Sequence, residues 1–184
     1  MTRGILESTK FPRQHIPSRG NGRSKRQAAL YNRAMEKLRQ SIFINAPRAH
    51  VWDVMLADKT YREWTSAFHP GSYYKGDWSE NSKILFLGPG GEGSGEGGMV
   101  SRIHTNRLHE FLSVEHLGIV QDGVKDTKSP AATAWAPAFE NYTFTDSDRG
   151  TNLAIEMDIQ AEHKENFEKL WADALERLKE IAER

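Results

Sequence analysis

The residues best suited to chemistry in this sequence include three histidines, His104, His109 and His116, that fall close together in the chain. Histidine binds metals and transfers protons near neutral pH. A turn predicted at Asn106-Arg107 separates the first two, and no nearby carboxylate completes a ligand set. Cysteine is absent, which excludes thiolate ligands, disulfides and thiol catalysis. We therefore predict no metal site, and His116 is the candidate for proton transfer.

His116 falls in the middle of a strand predicted over residues 111–120, next to Glu115, so one of the two must point inward. The face with His116 is slightly more apolar, since it also carries Leu112, Val114 and Val120. We therefore predict that His116 points inward. There it either donates to a ligand carbonyl or acts as a general base, or it is a core histidine that a tyrosine hydroxyl or backbone carbonyl satisfies.

Aromatic side chains are more numerous than one helix stripe needs. They are Trp64, Phe68, Tyr73, Trp78, Phe86, Trp135, Phe139 and Tyr142. One interpretation is core and rim packing, because aromatics dominate cores. The other is a ligand-binding wall, apolar with a few polar handles. On the second interpretation the predicted ligand-binding residues are Trp64, Phe68, Tyr73, Trp78, Phe86, His116, Trp135 and Tyr142.

A glycine-rich stretch, residues 93–98, matches the pattern G-x-G-x-x-G. A dinucleotide-binding fingerprint must open a helix after a strand, whereas these glycines lead into the predicted strand that begins at Met99. Glu96 would also repel a pyrophosphate. We interpret the stretch as a hairpin loop that can act as a flap. No serine lies in a G-x-S-x-G nucleophile elbow, and we predict no cofactor.

Apolar spacing predicts the elements that position these residues. A first strand around Leu38–Ile44 is followed by two short helices, one with Val51 and Trp52 and the other with Tyr61 and Trp64. Turn residues then separate further strands. These strands are predicted at 72–75, 83–87, 99–104, 111–120, 140–145 and 153–159.

The last segment, residues 163–182, has apolar residues at steps of three and four and charged residues on the other face. Such a helix is about 30 Å long and needs a whole sheet to cover its stripe. Strands joined by short turns are antiparallel. The fold class is therefore α+β: a curved antiparallel sheet of six to seven strands around a long C-terminal helix, with two short helices after strand 1. This helix-grip arrangement leaves an internal cavity beside Trp64 and His116.

Charge divides the chain at residue 34. Residues 1–34 carry a net charge of +7 and residues 35–184 a net charge of −7. We predict that 1–34 are a disordered basic extension of a domain at 35–184, with Met35 as a possible natural start. An organelle transit peptide or a basic arm for nucleic acid or acidic lipid are the alternatives. We expect a cytoplasmic protein, organellar if 1–34 are a transit peptide, with no nucleic-acid partner and no membrane span.

Several short motifs together resemble the START-like, or SRPBCC, superfamily, and within it the group related to the activator of the heat-shock-protein-ninety ATPase. These motifs lie at 44–47, 51–52, 61–65, 86–88, 98–103, 115–118 and 140–142, with Trp171 in the final helix. The resemblance covers about residues 35–184. It implies the helix-grip fold and an apolar cavity, which the superfamily uses for lipids, polyketides, hormones and aromatic compounds. The co-chaperone's separate N-terminal chaperone-binding domain has no counterpart in residues 1–34.

Three functions remain open. We favour a monomeric binding protein for a small hydrophobic, lipid-like or aromatic ligand, because no acid–base pair stands out as placed for chemistry. The alternatives are a cyclase or hydratase in which His116 transfers protons with Tyr142 or Glu115, and a module that interacts with a chaperone. We therefore predict a binding protein in preference to an enzyme.

Overall fold

The computed structural model of the chain describes residues 35–91 and 93–184. The predictions made for residues 1–34 lie outside this part of the chain. The elements, in order, are β1 (Met35–Ile44), α1 (Arg48–Leu56), α2 (Asp58–Thr65), β2 (Tyr73–Gly76), β3 (Lys83–Gly88), β4 (Gly97–Arg107), β5 (Phe111–Gln121), β6 (Val124–Asp126), α3 (Pro130–Thr133), β7 (Ala138–Ser147), β8 (Gly150–Gln160), a 3-10 turn (Ala161–His163) and α4 (Lys164–Ala182).

One antiparallel sheet holds every strand of the described residues. Its order is β1-β8-β7-β5-β4-β3-β2, and β6 pairs with the end of β5. The first and second strands lie at opposite edges, so α1 and α2 connect the two edges across the inner face. The predicted α+β helix-grip fold is confirmed. The sheet has one strand more than predicted, because the three residues of β6 are too few to show an apolar alternation.

The C-terminal helix α4 packs against β1, α1 and α2. Its buried residues are Trp171, Ala174, Leu175, Leu178 and Ala182. Each large apolar side chain buried this way stabilises the fold by about 1.5–3 kcal/mol. The opposite face carries charged residues, as in the Glu165–Lys169 ion pair. The helix predicted over 163–182 is confirmed to within one residue.

Strand β8 shows the predicted alternation of buried and solvent-facing residues. Leu153, Ile155, Met157 and Ile159 are buried in the core. In strand β5 the buried residues also alternate as far as Val120, but the face to which they belong changes after His116. There the pairing of β4 with β5 shifts by one residue, between Val100 and Ser101. The shift exchanges the two faces of the strand, so Val120, although buried, lies outside the core cluster that holds Leu112 and Val114. The prediction that Val120 shares their face is wrong for this reason.

The glycine-rich stretch joins β3 to β4, which pair antiparallel, so the predicted hairpin is confirmed. Gly98 allows the close approach of the two strands. Its φ is +152°, and a Cβ there would lie 1.9 Å from the Phe86 carbonyl oxygen. No helix within the described residues is long and apolar enough to cross a membrane.

Candidate functional site

Four polar side chains form a connected chain on the inner face of the sheet. The Ser101 hydroxyl lies 2.9 Å from Nδ1 of His116, and Nε2 of His116 lies 3.4 Å from Oε2 of Glu140. The Tyr142 hydroxyl donates to Oε1 of the same carboxylate. Ser101 is fully buried, and the His116 and Glu140 side chains are 3% and 14% exposed. A serine, a histidine, a carboxylate and a phenol are thus linked inside the protein.

Strand register brings these residues together. Ser101 on β4 is opposite His116 on β5. Without the one-residue shift described above, Ser101 would be opposite Leu117 instead. Such β-bulges re-aim side chains and are common beside active sites. Glu140 and Tyr142 are two residues apart on β7 and therefore share a face.

The hydrogen-bonding rules fix the proton positions for one ionisation state. An ionised Glu140 can only accept, so Nε2 of His116 must carry a proton. Nδ1 of a neutral imidazole is then an acceptor, and the Ser101 hydroxyl donates to it. This chain can pass a proton between the imidazole and the carboxylate in response to a charge that develops nearby.

Aromatic rings surround the polar chain. Ring centroids lie 5.6 Å apart for His116 and Trp135, and 6.1 Å apart for His116 and Phe86. The Tyr142 ring contacts Trp171 of α4 at 6.1 Å. The polar groups therefore lie in an environment that water enters poorly, where their charges act strongly.

Two groups of rings extend this environment. Trp171 contacts Trp64 and Phe68, at centroid distances of 6.2 and 4.8 Å. Towards β2 and β3, Tyr61 contacts Tyr74, Trp78 and Phe86 at 5.0, 6.0 and 6.2 Å. We call the rings of Tyr61, Trp64, Phe68, Tyr74, Trp78, Phe86, Trp135, Tyr142 and Trp171 the aromatic cluster.

Two polar groups of the aromatic cluster are buried away from water. The indole nitrogen of Trp78 is buried and has no hydrogen-bond partner among the described residues. Burial raises the pKa of the Tyr61 phenol well above its usual value, and the charges of Glu140 and Tyr74 raise it further.

Seven of the eight predicted site residues join this assembly, and Tyr73 does not. The seven residues that join it are Trp64, Phe68, Trp78, Phe86, His116, Trp135 and Tyr142. The predicted inward direction of His116 agrees with its 2% exposure. Tyr73 donates to Glu96, and its ring lies 5.0 Å from the Arg62 guanidinium. Neighbouring residues of a strand face opposite ways, so Tyr74 takes the inward position that we expected of Tyr73.

The sequence interpretation missed Glu140 and Ser101, and with them an acid–base pair. The expectation that no such pair stands out is corrected by the contact of His116 with Glu140. One signal was available, because an inward Tyr142 requires Glu140 to face inward too. Glu115, the proposed alternative partner, lies on the other face of β5 and pairs with Arg102. Phe139 also lies outside the aromatic cluster and contacts His104.

Two pockets among the described residues lie away from the polar chain. One is an open groove of about 380 Å³ around Ser41 and Ala154, on the outer face of β1 and β8. The other, of about 190 Å³, lies between β1 and α4 near Gln40 and Glu176. Neither is lined by a predicted site residue. Neither pocket lies beside Trp64 and His116, where we expected a cavity and where the rings of the aromatic cluster lie.

The glycine-rich loop is held against the turn after β5. Gly95 donates its backbone N–H to Asp122, and Gly123 donates its N–H to the Glu96 carbonyl. These few bonds join the loop to the turn in this conformation. In residues 35–91 and 93–184, no three His, Asp or Glu side chains converge as a metal ion requires.

Comparison with known proteins gives matches in structure but none in sequence. No family profile matches the chain, and no curated protein is similar to it. A solved structure of an uncharacterised protein from Rhizobium leguminosarum superposes with a TM-score of 0.63 at 13% identity, over 82% of this chain and 96% of that protein. An AHSA1-like protein from Aeromonas hydrophila superposes with a TM-score of 0.59 at 14% identity, over 79% of this chain and 90% of that one.

A third similar structure is DynU16, a protein from the dynemicin biosynthetic locus. Its TM-score is 0.56 at 12% identity, over 78% of this chain and 46% of DynU16. At these identities the likeness concerns the fold. The predicted resemblance to the START-like helix-grip proteins is therefore confirmed at the level of architecture.

Proposed function

We propose that this protein binds a small hydrophobic ligand within the aromatic cluster, with the His116–Glu140 pair as the polar end of the site. The observation that carries the proposal is the ionisable pair itself, 3.4 Å apart inside a largely apolar interior. A ligand site of this kind is mostly apolar and has a few convergent polar groups.

Packing alone gives no reason for this pair. Apolar side chains of similar volume at the same positions would avoid the cost of removing a carboxylate and an imidazole from water. Buried ionisable groups with a specific partner are common at functional sites. The adjacent β-bulge, which brings Ser101 opposite His116, supports the same conclusion.

A route to the pair lies where the sheet divides. Strand β5 pairs with β7 only as far as His116 and Ala138, and its last residues pair with β6 instead. Gly118 allows this change of partner, because a Cβ there would lie 2.2 Å from the Asp126 carbonyl oxygen. Trp135 lies in the connection between α3 and β7 and covers His116. A ligand that displaces Trp135 would reach the pair.

Native mass spectrometry of freshly purified protein, followed by titration with the compound it identifies, tests this proposal. We expect a bound apolar compound. We expect His116→Ala to change affinity by a few-fold and Trp64→Ala to weaken it more, because Trp64 supplies contact area. Phe139→Ala is the control, because that ring lies outside the aromatic cluster. Equal losses of ligand affinity in Phe139→Ala and Trp64→Ala would contradict a binding site within the aromatic cluster.

A second candidate function is proton-transfer catalysis on the bound ligand. The chain from Ser101 through His116 to Glu140 favours it, since a carboxylate that orients an imidazole is the arrangement a general base needs. Under this alternative His116→Ala reduces turnover by roughly 10²–10⁴-fold while the ligand still binds. A variant that binds and shows no loss of a measured turnover would exclude His116 as the base.

A further inference from the structure

The charge of the interior is one-sided. Glu140 is a carboxylate among aromatic rings, and within the described ranges no lysine or arginine forms an ion pair with it. His116 is the one described group within 4 Å of it that can become a cation. The bases on the nearby strands are engaged elsewhere: Lys37 pairs with Asp158, and Arg102 with Glu115.

Glu140 is also incompletely satisfied. Its Oε1 accepts from Tyr142, whereas the one contact of Oε2 with a described residue is the long one of 3.4 Å with His116. An ionised carboxylate offers about four acceptor positions. A ligand group that donates to Oε2 would therefore find a free acceptor in a site that water enters poorly, where a charge-assisted hydrogen bond is strong.

The surrounding rings favour the same ligand charge. The faces of tryptophan, tyrosine and phenylalanine rings attract cations. Tyr142 contacts the carboxylate directly, while Phe86 and Trp135 contact His116 beside it. A carboxylate ligand would meet Glu140 with no lysine or arginine to offset the repulsion. A cation would meet a carboxylate that has the Tyr142 hydroxyl on one oxygen and aromatic rings beside its histidine partner.

We propose that the site selects an organic cation: a small amine with an aromatic or alicyclic body, whose ammonium group pairs with Glu140 while the body packs in the aromatic cluster. This inference rests on the proposed function, and it names the ligand class. Because charge-assisted hydrogen bonds are stronger than neutral ones, the amine should bind roughly 10–100-fold more tightly than a neutral compound of the same shape.

Three probes of nearly equal shape test the inference: 3-phenylpropan-1-amine, 3-phenylpropan-1-ol and 3-phenylpropanoate. Their dissociation constants are measured at pH 7 by ¹⁵N–¹H NMR of the tryptophan indoles, in the full chain and in Glu140→Gln and Glu115→Gln. We expect the amine to bind most tightly and the carboxylate least. In Glu140→Gln the amine should lose its advantage over the alcohol while the alcohol changes less than three-fold. Glu115→Gln, on the outer face, should behave as the unmodified chain.

The results separate the cation inference from the proposed interior binding site. If the alcohol or the carboxylate binds as tightly as the amine, the cation inference is wrong and the interior site stands. If none of the three shifts the indole signals at millimolar concentration, both are wrong. If Glu140→Gln fails to fold, the ranking of the three probes on the unmodified chain still decides. An amine preference that survives in a folded Glu140→Gln would assign the selectivity to another group.

Discussion

If the His116–Glu140 pair serves binding and not folding, replacing both partners with apolar residues should cost less stability than the two single replacements added together. The test is His116→Leu and Glu140→Met, alone and together. The two side chains are 3% and 14% exposed, so each single variant leaves the partner buried with little water. An unsatisfied buried polar group costs about 1–3 kcal/mol. We expect each single variant to lose about that much.

The double variant removes the carboxylate and the imidazole together. Replacing a buried ion pair with apolar side chains is neutral or stabilising in many proteins, by about 1–4 kcal/mol. Here the Ser101 and Tyr142 hydroxyls each lose a partner, which offsets part of that gain. We therefore expect the double variant to be about 1–2 kcal/mol more stable than the sum of the two single effects predicts.

Urea unfolding followed by tryptophan fluorescence measures these differences. With an m-value of about 1–3 kcal/mol/M, a change of 2 kcal/mol moves the midpoint by roughly 1 M. Glu115→Gln is the matched control. It breaks a carboxylate–arginine pair on the outer face in which Arg102 is 40% exposed, so its effect should stay within about 1 kcal/mol. A double variant that loses as much as the two single variants combined would refute the reasoning, because the pair would then contribute no coupling.

Three further predictions concern the rings and the glycine-rich hairpin. Trp135→Ala should raise the association rate of 3-phenylpropan-1-ol, measured by stopped-flow fluorescence, because it uncovers His116. An unchanged rate would mean that the ligand reaches His116 by another route. Gly98→Ala should lower the free energy of unfolding in urea by about 1–3 kcal/mol, because its Cβ would lie 1.9 Å from a backbone oxygen; Gly91→Ala, where a Cβ meets nothing within 4 Å and φ is not positive, is the comparison. The raised pKa of Tyr61 means that its neutral form stabilises the fold below about pH 10 and that this stability is lost as the pH rises above that value. Tyr61→Phe should therefore lose less stability than the unmodified chain between about pH 10 and 12 in urea titrations.

The elements that depend on local periodicity could be predicted from the sequence. The stripe of α4 and the alternation of β8 are each carried by residues close together in the chain, so the pattern and the buried face coincide. His116 was predicted inward for the same reason. The alternation of side chains along a strand was not applied to β2, where Tyr73 was selected although Tyr74 faces inward.

The connections within the site could not be predicted this way. Ser101 meets His116 because of a one-residue shift between two strands, and strand register depends on pairing across the sheet and not on either segment alone. The shift also separates Val120 from the face that carries Val114. Trp171 reaches Tyr142 only because the helix crosses the strands at that point. Such contacts follow from topology, which single-segment patterns do not contain.

The ring contacts within the aromatic cluster also affect the affinity for a ligand. A ligand must displace part of the aromatic cluster, and exposing one large ring costs about 1.5–3 kcal/mol. If the open form is disfavoured by that amount, it is populated at roughly 1–10%, and the apparent affinity falls by the same factor. The ring that closes the route would then control affinity as well as rate. Trp135→Ala should tighten binding of an alcohol that makes no contact with Trp135, whereas a ligand that stacks on this ring should bind more weakly. Opposite signs for two such ligands would show that Trp135 is both a cover and part of the wall.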